Sequence, residues 1–187
     1  VIQDKAGQKG TGKWTAQVAL DLAVAVPTIG AALDGRVLSS MKDQRVAAGQ
    51  IFPATDTRAP FAAGDRASWQ DDLRDALYAA RICSYAQGMA LIAAGAAEYK
   101  WRIDLAEMAR IWKGGSIIRA RLLDDVRQAF SGGRTPPNLL VDPKVAADMQ
   151  RAAPGWRRVT AAPAAAGIPV PALGASLAYF DSYRTPR

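Results

Sequence analysis

Apolar residues recur along the chain at helical rather than strand spacing, and prolines and glycines cut the rhythm into segments. Lys13 to Val26 has helix composition and is interrupted by Pro27. From Thr28 to Gln50, the residues Ile29, Leu33, Val37, Leu38 and Met41 approximate one face of a second helix. Ile51 to Ala67 carries Pro53, Pro60 and Gly64 with little periodicity and reads as a loop. Ser68 is the expected N-cap of a long helix, with Asp71 and Asp72 in the first turn, where the helix dipole favours acids. Leu73, Leu77, Ala80 and Leu91 keep the rhythm. From Ala86 to Ala97 the chain is apolar on most faces, as expected of a helix shielded by other helices or by a second copy. Asp104 with Glu107 makes a cap-like pair ahead of Leu105, Met108, Ile111 and Trp112, and Gly114-Gly115 stops that helix. Ser116 is expected to cap a further helix over Ile117 to Phe130. Beyond Gly132-Gly133 and Pro136-Pro137, a helix is expected over Pro143 to Arg151. Pro154 opens another, which Pro163 should kink or shorten, and Ala172 to Tyr183 is the last amphipathic segment. There is no strand pattern and no repeat of fixed period. The expected class is all-α, a multi-helix bundle.

One segment falls outside this patterning. Asp4-Lys5-Ala6-Gly7-Gln8-Lys9-Gly10-Thr11-Gly12-Lys13-Trp14 sets three glycines among lysines and a threonine, directly before a helix. Glycine permits close backbone approach and positive φ. Backbone N–H groups, a hydroxyl and ammonium groups suit an anionic oxygen, and a helix N-terminus adds to them. The segment therefore predicts a phosphate or carboxylate ligand. Gly7 to Lys13 also spells the first seven positions of a P-loop, but Trp14 stands where a magnesium-binding Ser or Thr is needed. Only Val1 and Ile2 precede Asp4, too little for the buried strand a P-loop follows.

Composition narrows the picture. Half of the 187 residues are hydrophobic and 22% are charged, which fits one folded domain rather than a disordered chain. The net charge of +7 favours anionic partners, yet no run of five like charges occurs and aromatic residues are sparse, so nucleic acid is not indicated. The chain contains no histidine, which excludes histidine acid–base chemistry and histidine metal sites within it. Cys83 is the single cysteine; it lies in an apolar stretch and reads as a buried thiol, in keeping with a cytoplasmic location. Leu20 to Ile29 is too short to span a bilayer, and no membrane partner is expected. The chain starts without Met just before its richest motif and stops after a helical run, so it reads as a piece of a longer protein.

Several segments together resemble the 6-phosphogluconate dehydrogenase family. The glycine segment resembles its signature. Ser39-Ser40-Met41-Lys42-Asp43, Ser84-Tyr85-Ala86-Gln87-Gly88 and Ile111-Trp112-Lys113-Gly114-Gly115-Ser116-Ile117-Ile118-Arg119-Ala120-Arg121 resemble successive family segments. Gly167-Ile168-Pro169-Val170-Pro171-Ala172-Leu173 and Leu177-Ala178-Tyr179-Phe180-Asp181-Ser182-Tyr183-Arg184 resemble its later part. The order is that of the family and the resemblance covers the whole chain; residues 44–66 match loosely.

The resemblance implies that residues 1–187 are most of the family's helical C-terminal domain. The N-terminal Rossmann domain, with the catalytic lysine and glutamate, and the extreme C-terminal tail are then absent from this sequence. It implies a homodimer that oxidises 6-phosphogluconate to ribulose 5-phosphate and CO₂ with NADP, or NAD in some members, in the pentose phosphate pathway. The cofactor would be bound mainly by the missing domain, with no metal. Lys9 and Thr11 match family positions at the sugar acid's phosphate end, and Arg36 in Leu33-Asp34-Gly35-Arg36 matches a phosphate-binding arginine. No catalytic residue is expected in this chain. A point charge, a hydroxyl and a planar guanidinium fork are chemically suited to phosphate oxygens. Two other classes stand beside this one: a basic helical nucleic-acid-binding protein, which would show a one-faced basic patch, and a purely structural oligomerisation module.

Overall fold

The computed structural model describes residues 4–52 and 66–186. Among the described residues, eight α-helices follow one another: α1 (Gly10–Asp21), α2 (Pro27–Ser40), α3 (Lys42–Ile51), α4 (Arg66–Glu98), α5 (Leu105–Gly115), α6 (Leu122–Ala129), α7 (Pro143–Ala165) and α8 (Pro171–Arg184). A single 3-10 turn, Leu139–Val141, precedes α7, and no strand occurs among the described residues. The all-α expectation holds.

The 33-residue α4 is the spine. Its small side chains at Ala76, Ala79, Cys83 and Ala86 form a stripe at helical spacing, all fully shielded from solvent. Such a stripe admits a close neighbour, and α7 lies along it with Val145, Met149, Ala152, Trp156 and Val159. Leu122, Leu123 and Val126 of α6, with Leu139 and Leu140 of the 3-10 turn, complete the same core. The α2–α8 pair packs beside α4, and α1 packs on α2. Part of the apolar stretch Ala86 to Ala97 is therefore covered within the chain: Ala86, Gln87, Met89 and Gly95 are buried, whereas Ala93 and Ala97 remain exposed.

Several boundaries differ from the pattern, each for a local reason. The first helix spans Gly10–Asp21, starting before Lys13 and ending before Val26, and the chain turns out of it through Ala23 at φ 52°. Pro27 opens α2 instead of interrupting a helix, because its fixed φ suits the first helical position. The expected single helix over Thr28 to Gln50 breaks at Met41, whose non-helical ψ of 48° separates α2 from α3. The long helix is already helical at Arg66, ahead of Ser68. Ser116 ends α5 rather than capping a helix, its hydroxyl donating to the Trp112 carbonyl, and α6 begins only at Leu122. The segment Pro143 to Ala165 is one continuous helix through Pro154 and Pro163. Each proline removes one backbone hydrogen bond, but Trp156 and Val159 hold α7 against α4, and Pro163 already lies in the last turn. Much of the loop expected over Ile51 to Ala67 lies outside the described residues.

The Asp104 cap is formed as expected, its carboxylate accepting from the Ala106 and Glu107 amides at 2.8 and 3.2 Å. Asp142 caps α7 in the same way, accepting from Lys144 and Val145. The ends of α4 and α7 are joined by a bidentate pair, with Arg158 donating to both Asp72 oxygens at 2.7 and 2.5 Å. Gly155 makes room for it: a Cβ there would stand 2.7 Å from Asp72 Oδ1 and 3.1 Å from the Asp72 Cα.

Candidate functional site

The glycine segment leads into α1 as the sequence suggests. Lys9 occupies the N-cap position in extended conformation, and no side chain caps the helix. The first amides of α1 therefore keep their donors for another partner, an arrangement that attracts anions. Ahead of it the chain is not a strand; the Ala6 amide docks on the Ser39 hydroxyl of α2 at 3.0 Å. None of the segment's glycines has positive φ. Gly12 serves packing instead: a Cβ there would collide with the Leu33 side chain, so its absence lets α1 settle on α2.

Lys9 and Thr11 are exposed on adjoining positions at the start of α1. Neither the Lys9 ammonium nor the Thr11 hydroxyl has a side-chain partner among the described residues. Arg36 reaches the same loop from α2: its Nε donates to the Gly7 carbonyl at 2.6 Å and its Nη2 donates to the same oxygen. The three residues singled out in the sequence thus gather around one loop. Arg36 is however engaged with the backbone there, a role that motif matching does not show.

Two clefts flank this junction. One, of about 930 Å³, runs from Thr11 and Thr15 past Ile29, Tyr85 and Trp112 to Ile117, Ile118 and Arg119. The other, of about 530 Å³, lies between α2, α4 and α8 and contains Arg36 and Leu173. Ile29, Arg81 and Ser84 line both. The linings contain arginines and no carboxylate, so both clefts carry positive potential between largely apolar walls. The Tyr85 hydroxyl donates to the Ile118 carbonyl at 2.6 Å and fixes the 116–121 wall to α4. Burial holds the Tyr85 phenol above its ordinary pKa, while the Arg81 charge pulls the other way.

A buried polar clasp sets the position of α2. The Gln87 carbonyl oxygen accepts from the Thr28 amide at 3.1 Å, its Nε2 donates to the Thr28 hydroxyl at 2.8 Å, and that hydroxyl meets Ser176 Oγ at 3.0 Å. Three helices are tied at one point, and Arg36 lies two turns along α2 from it.

Sequence reasoning passed over Arg81. A signal was present: its helical neighbours at three- and four-residue spacing are Leu77, Tyr78, Ser84 and Tyr85, none able to pair with a cation. Cys83 is a structural thiol, fully buried and pushed up to about 12 by desolvation, and so is no nucleophile. Among the described residues no group of three potential metal ligands occurs, and no helix is long and apolar enough to cross a membrane.

A model of the family described as 6-phosphogluconate dehydrogenase, C-terminal domain, matches residues 1–187. The chain is 51% identical over 187 residues to the decarboxylating 6-phosphogluconate dehydrogenase of Synechococcus elongatus, covering all of this chain and 39% of that protein. It is 50% identical over 189 residues to decarboxylating 6-phosphogluconate dehydrogenase 1 of Spinacia oleracea, again 39% of that protein. Relatives described as chloroplastic match as well. The fold is similar, at TM-score 0.91 and 36% identity, to the Plasmodium falciparum 6-phosphogluconate dehydrogenase, solved in its apo form, with its cofactor NADP+ and with its substrate 6-phosphogluconate; all of this chain and 40% of that one are covered. The chain thus spans about two fifths of the length of these relatives. With the helical fold, the uncapped glycine segment and agreement in sequence and structure over the whole of this chain together, the chain belongs to the 6-phosphogluconate dehydrogenase family, as its helical C-terminal domain.

Proposed function

We propose that this chain is the substrate-binding and dimerisation part of a decarboxylating dehydrogenase acting on 6-phosphogluconate in the pentose phosphate pathway. The product is ribulose 5-phosphate with CO₂, and the enzyme works as a homodimer in the cytoplasm. The observation that carries the reading is the placing of Lys9 and Thr11 at the uncapped start of α1, with Arg36 of α2 held against the Gly7 carbonyl of the same glycine segment. Lys9 is a mobile point charge, Thr11 offers a hydroxyl donor, and Arg36 adds a planar fork; the three suit the phosphate end of a sugar acid.

The nicotinamide cofactor accepts the hydride when bound. Its binding falls mainly to the dinucleotide-binding domain outside this sequence, and no residue of this chain is assigned to it. What the chain supplies is grip on the far end of the substrate, which positions the reacting carbons for acid–base groups located elsewhere. Having no histidine and only phosphate-end ligands, the isolated chain is expected to show no NADP-dependent oxidation of 6-phosphogluconate.

Steady-state kinetics of the full-length dimer test the reading. Lys9→Ala and Arg36→Ala should each raise KM for 6-phosphogluconate, each losing a charge-assisted contact of roughly 1.5–3 kcal/mol, with a smaller fall in kcat. Arg36→Ala should also loosen the loop, since the Gly7 carbonyl loses its donor. Wild-type KM and kcat in both variants would reduce the glycine segment to a structural turn.

A further inference from the structure

We propose that Arg81 is a further phosphate-contacting residue of this site, seated on α4 where the two clefts meet. The inference rests on the functional reading above and names a residue that neither the motif nor its loop contains.

Position is the first argument. Arg81 lines one cleft together with Thr11 and the other together with Arg36, so one side chain faces both ends of the candidate site. Its backbone is held by the best-buried part of the molecule, because Ile82 and Cys83 beside it are fully shielded from solvent. A ligand contact on a packed helix is placed more accurately than one on a loop, and Lys9 stands at a loop end.

Charge is the second. The arginines of α7 are neutralised: Arg151 pairs with Asp75, Arg157 with Asp181 and Arg158 with Asp72. Arg81 forms no ion pair and no hydrogen bond among the described residues, and no carboxylate lines either cleft it faces. Arg36, by contrast, must release the Gly7 carbonyl before its Nε can turn to a ligand. Arg81 therefore offers an uncommitted planar fork, and the apolar walls around it, among them Ile29 and Trp112, strengthen its field.

A phosphate monoester is the matching chemistry. It occurs at the end of the sugar acid and as the 2′-phosphate of NADP, and the two sources are separable by kinetics. The experiment uses the full-length dehydrogenase carrying Arg81→Gln, Arg81→Lys or, as reference, Lys9→Ala. KM is measured for 6-phosphogluconate and for NADP, along with inhibition by inorganic phosphate. Arg81→Gln should raise one of the two KM values roughly ten-fold or more, weaken phosphate inhibition to a similar degree, and leave thermal unfolding in place because the side chain is exposed. Arg81→Lys should recover part of the loss. A rise on the sugar side assigns Arg81 to the substrate phosphate; a rise on the NADP side assigns it to the cofactor. Both KM values and phosphate inhibition at wild-type level in Arg81→Gln would overturn the proposal. If Lys9→Ala still raises the sugar KM in that case, the loop reading stands without Arg81; if it does not, the loop reading falls too.

Discussion

Along α4 and α7, the side chains of Ala79, Ile82, Cys83 and Trp156 are wholly shielded from solvent, whereas α1 and α2 bury one residue each, Ala19 and Thr28, and α3 buries none. The core half is joined by apolar contact and the Asp72–Arg158 bridge. The arm that carries the candidate site is held by fewer and more polar links: the Thr28–Gln87–Ser176 clasp, the Arg36–Gly7 contact and the seating of Gly12 on Leu33. Ligand-binding segments are commonly drawn from the less stable part of a fold, where binding can supply the missing order. The contrast teaches that the proposed site is a lightly anchored arm set against a rigid helix, with the candidates Lys9 and Thr11 on the first and Arg81 on the second.

The largest expected effect lies in the core. Trp156→Ala removes a fully buried ring that packs against Phe180 at a centroid distance of 5.9 Å. Truncations of this kind cost roughly 3–5 kcal/mol, and urea unfolding of the full-length protein should show the helical domain destabilised by that order. A loss below about 1 kcal/mol would mean that α7 is not the structural partner of α4 described above.

A smaller and more local effect is expected at the clasp. Gln87→Leu leaves the buried Thr28 amide without its acceptor and the Thr28 hydroxyl with Ser176 alone, costing roughly 1–3 kcal/mol. Hydrogen exchange should speed up in α1 and α2 while α7 stays protected. Uniform acceleration across both halves would break the division between arm and core.

The bridge between α4 and α7 gives the smallest effect, visible through pH. The hydrogen bonds from Arg158 hold the Asp72 carboxyl below its ordinary value near 3.8, against the opposing pull of burial. A depressed folded pKa adds stability that is complete above the unfolded value and is lost as pH falls through the folded one. Asp72→Asn should therefore be less stable than wild type at neutral pH, and the gap should close as pH drops below about 3.8. Urea midpoints at neutral and strongly acidic pH measure this; a gap of constant size would show that the charge on Asp72 contributes nothing.

Much of this molecule was legible in sequence because its signals are local. Helical periodicity, the Asp104 cap and the glycine segment each depend on residues a few positions apart, so the all-α class and the lead of the glycine segment into a helix followed from reading alone, although the helix already takes in Gly10, Thr11 and Gly12. The errors share one cause. Pro27, Pro154 and Pro163 are local helix breakers by propensity. Pro27 proved an acceptable first residue, while the other two are tolerated because α7 is pressed onto α4. Ser116 has the composition of an N-cap and ends a helix instead, its hydroxyl returned to the Trp112 carbonyl.

What the sequence determined by itself was the class of structure, the family resemblance and the chemical character of the glycine segment, since each is written in short-range spacing and residue type. What the tertiary structure decided was which charges are free. Arg158 and Arg81 are equally basic in sequence, but one meets Asp72 across two helices and the other faces a cleft without a carboxylate. Pairing depends on contacts between residues far apart in the chain, 86 positions in the case of Asp72 and Arg158, and those distances are set only when the helices pack.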